Sequence, residues 1–370
     1  MFILILLVGS FMTGVLLQLV FTHFRGHKSE ESTSGKKYHY LRNKLHVLVV
    51  IYLLVNIGLI GGAEVAHEGL SSLGIPIILC LGLAMTLLGA TLLSLNCIGI
   101  TDREMKISLA VHFGSVSVGT FAAVQAFLNS RGIPFSPSTS AWLALMETPS
   151  IIVGAVLLGG GISAIKEVLT DRDILILLGT LALGFILGTE IVHKLNFILV
   201  EPFEWILAYF LFDMGQHAGE HIGHLREYGM KLVYFGIFTA LFGGILGCLS
   251  GTLVGMSVGN TTILGTLTAS ASYVAATAVM SKFVSKKAIA ITLTVSLGIV
   301  LTWNILLGIQ IYTLMAKTLH TIQDNRYLVG MLLLGWLTTV FGCLVMWTRR
   351  LATARGTSSS SGAFSKGTIV

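Results

Sequence analysis

Charged residues are scarce in this chain. Asp, Glu, Lys and Arg make up 11% of its 370 residues, whereas a soluble domain carries roughly 25%. Hydrophobic residues make up 54%, which is more than a soluble fold could hide from water. A bilayer accommodates such a chain when its apolar residues form stretches of about 20. The composition therefore predicts an all-α integral membrane protein, in which membrane lipid is the main partner.

Several familiar motifs are also missing. The sequence has no Walker loop, kinase signature, serine-hydrolase elbow or His-Glu-x-x-His motif, so we expect neither ATP-driven transport nor enzymatic catalysis, and no organic cofactor. The four cysteines lack the paired spacing of a disulfide framework, and we expect them to be small buried hydrophobes. They are Cys80, Cys97, Cys248 and Cys343.

The apolar runs predict about eleven transmembrane helices, which we number as spans. These cover residues 2–21, 45–60, 75–95, 107–128, 141–158, 174–187, 203–214, 232–256, 262–279, 288–315 and 328–346. Residues 22–44 form a polar loop between spans 1 and 2. The tail over residues 353–370 is rich in Ser and Gly and is predicted to be disordered.

Lys and Arg are distributed unevenly between the predicted loops. Nineteen of the 23 lie in the tail or after odd-numbered spans, and only Arg131, Lys194, Lys317 and Arg326 lie on the other side. The positive-inside rule then places the N-terminus outside and the C-terminus in the cytoplasm of a bacterial inner (plasma) membrane. Because the net charge of +6 reflects this orientation signal, nucleic acid is not an expected partner.

The two halves of the chain, residues 1–160 and 173–316, resemble each other. Polar and small residues recur in the same order, so that Gly14 corresponds to Gly184, Gly58 to Gly215, and Glu147 to Asn304. Five spans per half is an odd number, so the second half would be inserted upside down. Inverted repeats of this kind are typical of secondary transporters. Span 11, within residues 325–348, lies outside the repeat.

Spans 4 and 9 are poor in Leu and rich in Gly, Ser and Thr, at matching places in the repeat. Such segments favour interrupted helices, whose free backbone amides attract anions and whose carbonyls and hydroxyls can hold a cation. The alternative is tight packing of small residues without a ligand. The candidate solute- and ion-binding residues in these spans are Gly114, Ser115, Ser117, Gly119, Thr120, Ser270, Ser272 and Tyr273.

Polar residues inside other spans are further candidates, because they are costly at membrane depth. Glu147 precedes Thr148-Pro149 in span 5, where it could bind a cation or carry a proton, or simply be hydrogen-bonded in the bundle. Asn304 is its counterpart in span 10. His112 is expected to be a packed histidine. The run from His217 to His224 lies at a membrane boundary, where histidines are common, and no metal site is predicted.

Four stretches together resemble the cyanobacterial sodium-dependent bicarbonate transporter family. They are Leu-Leu-Val-Asn-Ile-Gly-Leu-Ile-Gly-Gly at 53–62, Phe-Gly-Ser-Val-Ser at 113–117, Met-Glu-Thr-Pro at 146–149, and Met-Gly-x-x-Ala-x-x-x-Ile-Gly-x-Leu-Arg at 214–226. The resemblance implies a ten-helix inverted repeat, usually trimeric, in which spans 4 and 9 form anion and Na⁺ sites. It also implies regulation in some members by a cytoplasmic PII-like protein.

The chain departs from the family pattern in span 9. The family has a serine run closed by Asp and a Gly-Pro-Pro, whereas residues 269–276 read Ala-Ser-Ala-Ser-Tyr-Val-Ala-Ala. Our first hypothesis is a secondary transporter of a small inorganic anion, with Na⁺-coupled bicarbonate uptake as the specific case. The alternative is a membrane sensor or scaffold that keeps the fold without transport. An intramembrane enzyme using His217, Glu220 and His221 is a third reading.

The binding-site hypothesis predicts the behaviour of two serine variants. Ser117→Ala and Ser272→Ala should each abolish solute uptake without lowering the amount of protein in the membrane, because each removes a hydroxyl from the proposed site. Uptake assays with quantitative immunoblotting of membrane fractions check this. Normal uptake by both variants would rule out the site assignment.

Overall fold

A computed structural model describes residues 2–25, 33–70, 74–222 and 230–321, with two short helical pieces at 330–331 and 334–335. All regular elements in these ranges are helices. Most of span 11 and the predicted tail at 353–370 lie outside the described residues, as does Cys343. The other three cysteines are buried and form no disulfide within the described residues.

Fourteen helices cover the described residues. They are α1 (Phe2–Arg25), α2 (Thr33–Glu68), α3 (Gly74–Cys97), α4 (Arg103–Gly114), α5 (Val118–Ser130), α6 (Thr139–Leu157), α7 (Gly161–Leu169), α8 (Arg172–Lys194), α9 (Asn196–Leu199), α10 (Phe203–Ile222), α11 (Met230–Leu253), α12 (Val258–Thr268), α13 (Ala275–Met280) and α14 (Lys286–His320). Helix α14 contains π-helical turns at Thr294–Leu301 and Asn304–Gly308.

Eight helical segments within the described residues are long and apolar enough to cross a membrane. The predicted number, about eleven, is larger for three reasons. Span 7 corresponds to α10, which is too polar to be counted because it carries Glu204, Asp213 and Glu220. Span 9 is broken into α12 and α13, and span 11 is mostly undescribed. Large apolar side chains face outward around the bundle, and Ile78 and Ile186 are 76% and 78% exposed, as lipid-facing residues would be.

Several boundaries differ from the sequence prediction. Helix α2 begins at Thr33, so much of the predicted loop over 22–44 is helical; residues 33–44 contain good helix formers such as Leu, Lys and Arg. Helix α6 passes over Pro149 without ending. Helix α8 extends to Lys194 and is kinked at Gly188, where φ is +70°, a conformation that glycine adopts easily.

Helices α1 and α10 pack closely because glycines face backbone across their contact. A Cβ on Gly14 would overlap the carbonyl oxygen of Phe212, and a Cβ on Gly215 would overlap that of Phe11. Without a side chain at these positions the two backbones approach each other directly, which strengthens dispersion contacts in lipid.

Helices α2 and α8 pack in the same way. A Cβ on Gly184 would overlap the carbonyl oxygen of Leu59, and a Cβ on Gly62 would overlap that of Leu181. The four helices α1, α2, α8 and α10 thus form two glycine-mediated pairs. Helices α3 to α6 and α11 to α14 pack beside them and contain both interrupted spans.

Substituting one of two glycines in α1 tests this packing. Gly14→Ala should separate α1 from α10 and lower the free energy of unfolding by about 1–3 kcal/mol, the usual cost of overpacking. The matched control is Gly9→Ala on the same helix, because nothing lies within 4 Å of a Cβ at Gly9. Thermal unfolding in detergent micelles measures both. Equal melting temperatures for the two variants would contradict the packing account.

Candidate functional site

Span 4 is interrupted between α4 and α5. Ser115 (φ −103°, ψ 172°) and Ser117 (φ −111°, ψ 118°) are extended rather than helical. Serine favours this because its hydroxyl competes for nearby backbone groups. Here the Ser117 hydroxyl accepts hydrogen bonds from the amide of Thr120 at 3.1 Å and from its hydroxyl at 3.0 Å. Ser117 is therefore the N-cap of α5.

Span 9 is interrupted between the end of α12 at Thr268 and the start of α13 at Ala275. The Ser272 hydroxyl accepts a hydrogen bond from the amide of Ala276 at 3.2 Å. The interruptions that the sequence predicted in spans 4 and 9 are thus present, each with a serine hydroxyl bound to the first turn of the following helix.

The two interruptions are hydrogen-bonded to each other. The amide of Ser272 donates to the carbonyl oxygen of His112 at 2.8 Å. The amide of Ser117 donates to the Ser270 hydroxyl at 3.1 Å, and that hydroxyl donates to the carbonyl oxygen of Leu267 at 2.7 Å. These bonds satisfy backbone groups that lose their helical partners, as burial requires.

Helices α6 and α14 form further hydrogen bonds with the two interruptions. Ser150 donates to the carbonyl oxygen of Gly114 at 2.7 Å, where α4 ends. The Ser115 hydroxyl donates to the carbonyl oxygen of Glu147 at 2.9 Å. On the other side, Asn304 at the start of a π-helical turn donates through Nδ2 to the carbonyl oxygen of Ala269 at 2.9 Å. Local π-helical turns often occur at functional sites.

A small cavity lies at the interruptions. Its volume is about 20 Å³, close to that needed by one or two water-sized molecules. In this conformation the cavity is therefore too small for an organic solute. The lining residues come from α2, α5, α6, α8, α10 and the two interruptions: Val50, Leu53, Leu54, Val116, Ser117, Val118, Gly119, Glu147, Asp173, Phe210, Ser272, Tyr273, Val274 and Ala275.

The cavity adjoins the partial positive charge of a helix N-terminus and two acidic residues. Helix α5 begins at its wall, so the positive end of that helix dipole adjoins the space. Glu147 and Asp173, both buried, contribute two carboxyl groups, and no basic residue is among the lining residues. Asp173 is paired with Arg172 at 2.8 Å outside the lining. Two carboxyl groups near one space favour a bound cation or proton, because like charges repel.

Among the described residues, two buried polar atoms near the interruptions lack a hydrogen-bond partner. They are the hydroxyl of Tyr273 and Oδ1 of Asn304. A Cβ on Gly119 would overlap the Tyr273 hydroxyl, so only glycine fits beside this tyrosine. Buried polar groups are rarely left unpaired because desolvation costs about 1–3 kcal/mol each. The Tyr273 hydroxyl is therefore a candidate hydrogen-bond donor to a solute.

The predicted site residues divide into two groups. Those that line the cavity are Ser117, Gly119, Glu147, Ser272 and Tyr273. The others are buried behind them, where most hydrogen-bond the interruptions, and they are Gly114, Ser115, Thr120, Ser270 and Asn304. Sequence reasoning missed Asp173 and Phe210. Asp173 lies in the first turn of α8, just before span 6, where an acidic residue is typical of an ordinary helix start.

His112 behaves as the packed histidine expected from the sequence. It is fully buried. Its Nδ1 lies 2.7 Å from the carbonyl oxygen of Ser108, and its Nε2 lies 3.0 Å from the Thr277 hydroxyl. With both ring nitrogens engaged, it links α4 to α13 rather than facing the cavity.

The fold and site define a helical membrane protein in which two interrupted helices face each other beside a small cavity. Residues 40–317 match the model of the Na⁺-dependent bicarbonate transporter superfamily. The match covers most of the chain, so the chain belongs to this superfamily. A search of curated proteins finds no match.

Removing the unpaired hydroxyl tests whether it serves a solute. If Tyr273 contacts the solute, Tyr273→Phe should raise the half-saturating solute concentration about tenfold, since one hydrogen bond to a charged group contributes about 1.5–3 kcal/mol. Thermal stability should stay equal or rise, because an unpaired buried group is removed. Transport kinetics and thermal unfolding of the same preparations distinguish these effects. Unchanged solute affinity would exclude Tyr273 from the site.

Proposed function

We propose that this protein is a secondary transporter that takes up bicarbonate, or a small anion like it, together with Na⁺. The observation that supports this best is the cavity itself, where a helix N-terminus and two carboxyl groups meet. A symporter of an anion and a cation needs both kinds of charge side by side. The small volume also favours inorganic solutes.

Each lining residue has a proposed role. The anion is held by the backbone at the start of α5, with the hydroxyls of Ser117, Ser272 and Tyr273 as hydrogen-bond donors. Glu147 and Asp173 hold the cation, in place of the acid that the family has in span 9. Oxygen atoms are the ligands that hard cations prefer. The serines behind the cavity position the interruptions and do not contact the solute.

The proposed inverted repeat is supported by the packing of the two helix pairs. Gly14 in α1 and Gly184 in α8 each face a carbonyl oxygen of the partner helix, as equivalent residues should. For the second helix of each half, α2 and α10, the sequence comparison of the two halves pairs Gly58 with Gly215. The packing instead makes Gly62 the equivalent of Gly215, one helical turn further along.

The hydrogen bonds between the interruptions also support the repeat. The amide of Ser272 reaches His112, and the amide of Ser117 reaches Leu267 through one serine hydroxyl. Ser272 follows Ser117 by 155 residues, and Leu267 follows His112 by the same number. This equal spacing supports the symmetry that an inverted repeat requires.

Alternating access would come from movement of one helix group against the other. Helices α1, α2, α8 and α10 form the proposed gate, and the helices with the interruptions form the proposed core. The cavity lies between them, since Leu53, Asp173 and Phe210 belong to the first group and Ser117 and Ser272 to the second. A shift of one group would open the cavity to either side of the membrane.

The proposed orientation and partners follow from the sequence. The N-terminus lies outside and the C-terminus in the cytoplasm of a bacterial plasma membrane, because Lys and Arg concentrate on one side. A homotrimer and a cytoplasmic PII-like regulator are proposed from the family resemblance. Outward-facing apolar side chains on α1 and α8, such as Leu16 and Ile186, leave room for contacts between subunits.

The alternative, a sensor or scaffold without transport, is favoured by one feature of the cavity. Tyr273 stands where the family has its acid-containing segment, and its hydroxyl fills the space that a side chain at residue 119 would take. A site filled in this way could bind a solute without releasing it on the other side. Transport measurements decide between the two functions.

Uptake of labelled bicarbonate into proteoliposomes tests the proposal. An inward Na⁺ gradient should accelerate uptake at least tenfold, and Glu147→Gln should remove this Na⁺ dependence because it removes a negative charge from the cation site. Ser117→Ala should abolish uptake, although it also removes a helix cap worth about 1 kcal/mol.

Ser257→Ala is the matched control for that capping effect. Ser257 is the N-cap of α12 and accepts from the amide of Asn260, so the variant loses a cap of the same kind far from the cavity. It should transport normally. Absence of bicarbonate uptake by folded wild-type protein, with or without Na⁺, would contradict the transport proposal and favour the sensor.

A further inference from the structure

A second polar cluster joins α2 to α10, apart from the residues that line the cavity. Arg42 donates through Nε to Asp213 at 2.7 Å and through Nη1 to Glu220 at 2.8 Å. His46 Nδ1 lies 2.8 Å from the other oxygen of Asp213, and His217 Nδ1 lies 3.2 Å from Glu220. The proposed transport mechanism uses none of these five side chains.

Three of these side chains present the donor atoms of a metal site. One nitrogen of His46, one nitrogen of His217 and one oxygen of Asp213 all lie within 4.8 Å of one another. The Asp213 oxygen is 2.8 Å from His46 Nδ1 and 3.8 Å from His217 Nε2. Ligands of a tetrahedral Zn²⁺ lie about 2.0–2.2 Å from the ion and hence about 3.3 Å apart, so only small shifts are needed.

The outer hydrogen bonds are those that metal sites use. Glu220 bonds Nδ1 of His217, which leaves Nε2 of the same ring directed toward Asp213. A carboxylate that holds one nitrogen of a histidine commonly orients the other nitrogen toward a metal. Arg42 likewise holds the first oxygen of Asp213, so the second oxygen remains for the ion.

Charge also favours a cation here. Asp213 and Glu220 carry two negative charges and Arg42 carries one positive charge, so the cluster has one excess negative charge when both histidines are neutral. Arg42 and Asp213 are almost fully buried, but the side chains of His46, His217 and Glu220 are 22%, 27% and 31% exposed. The histidine side of the cluster is therefore open at the surface of the protein.

We propose that His46, Asp213 and His217 bind a divalent transition-metal ion of the Zn²⁺ class, which ties α2 to α10. Imidazole and carboxylate donors suit such ions better than Ca²⁺ or Mg²⁺. The sequence did not predict this site because His46 lies 167 residues from Asp213. His224, which the sequence groups with His217, lies outside the described residues. The proposal is independent of whether the protein transports bicarbonate.

Calorimetric titration with ZnCl₂ tests the site on full-length protein, purified in detergent and stripped of metal with a chelator. Wild-type protein should bind one Zn²⁺ per chain and should not bind Mg²⁺ there. His46→Asn and His217→Gln should each weaken Zn²⁺ binding at least about tenfold. Both replacements keep a hydrogen-bonding side chain for the neighbouring carboxylate, and thermal unfolding without metal checks that the variants are folded.

His67→Gln is the matched control. His67 is on the same helix and lies 3.9 Å from Glu64, so it is also a histidine beside a carboxylate, but it is 69% exposed and outside the cluster. This variant should bind Zn²⁺ like wild type. Failure of wild-type protein to bind Zn²⁺ would overturn the proposal. Equal loss in His67→Gln would overturn it as well.

Discussion

The structure depends on how backbone groups are satisfied where two membrane helices are interrupted. A broken helix exposes amides and carbonyls, and within a bilayer no water replaces their lost partners. Here the two interruptions satisfy each other, through Ser272 to His112 and through Ser117 to Ser270. The interruptions must therefore stay face to face, and the helices around them are arranged to hold them there.

That requirement explains the polar residues elsewhere in the bundle. Ser150 and Asn304 are buried in spans 5 and 10, where polar side chains are costly, and each donates to a carbonyl oxygen freed at the end of α4 or beside α12. Their hydrogen bonds offset the cost of burial. The cavity at the interruptions is lined by the start of α5 and by Glu147 and Asp173. The polar residues that hold the interruptions therefore lie next to the proposed solute site.

Much of this was predictable from residue types that act locally. Gly, Ser and Thr in spans 4 and 9 predict the interruptions because these residues disfavour a continuous helix, and both interruptions are present. Membership of the bicarbonate transporter superfamily was indicated by short ordered motifs and is confirmed by the family match. The start of α2 at Thr33 was missed, since charged residues next to a span read as a loop although they are also good helix formers.

Features that arise from contacts between distant segments were not predictable. Asp173 reaches the cavity only because α8 packs along α2, and the pairing of Arg42 with Asp213 joins residues from the two halves of the chain. The proposed correspondence of Gly62 with Gly215 likewise rests on helix packing, since glycines one turn apart cannot be told apart in an apolar sequence. Periodicity gives the helices, but three-dimensional contacts decide which polar residues meet.

The central claim is that the paired interruptions form the solute site. Electron cryomicroscopy of the protein in lipid nanodiscs, with and without bicarbonate and Na⁺, tests this most directly. The account predicts additional density between Ser117, Ser272 and Tyr273 only when bicarbonate is present, with both interruptions intact. Continuous helices through spans 4 and 9, or solute density elsewhere in the molecule, would contradict it.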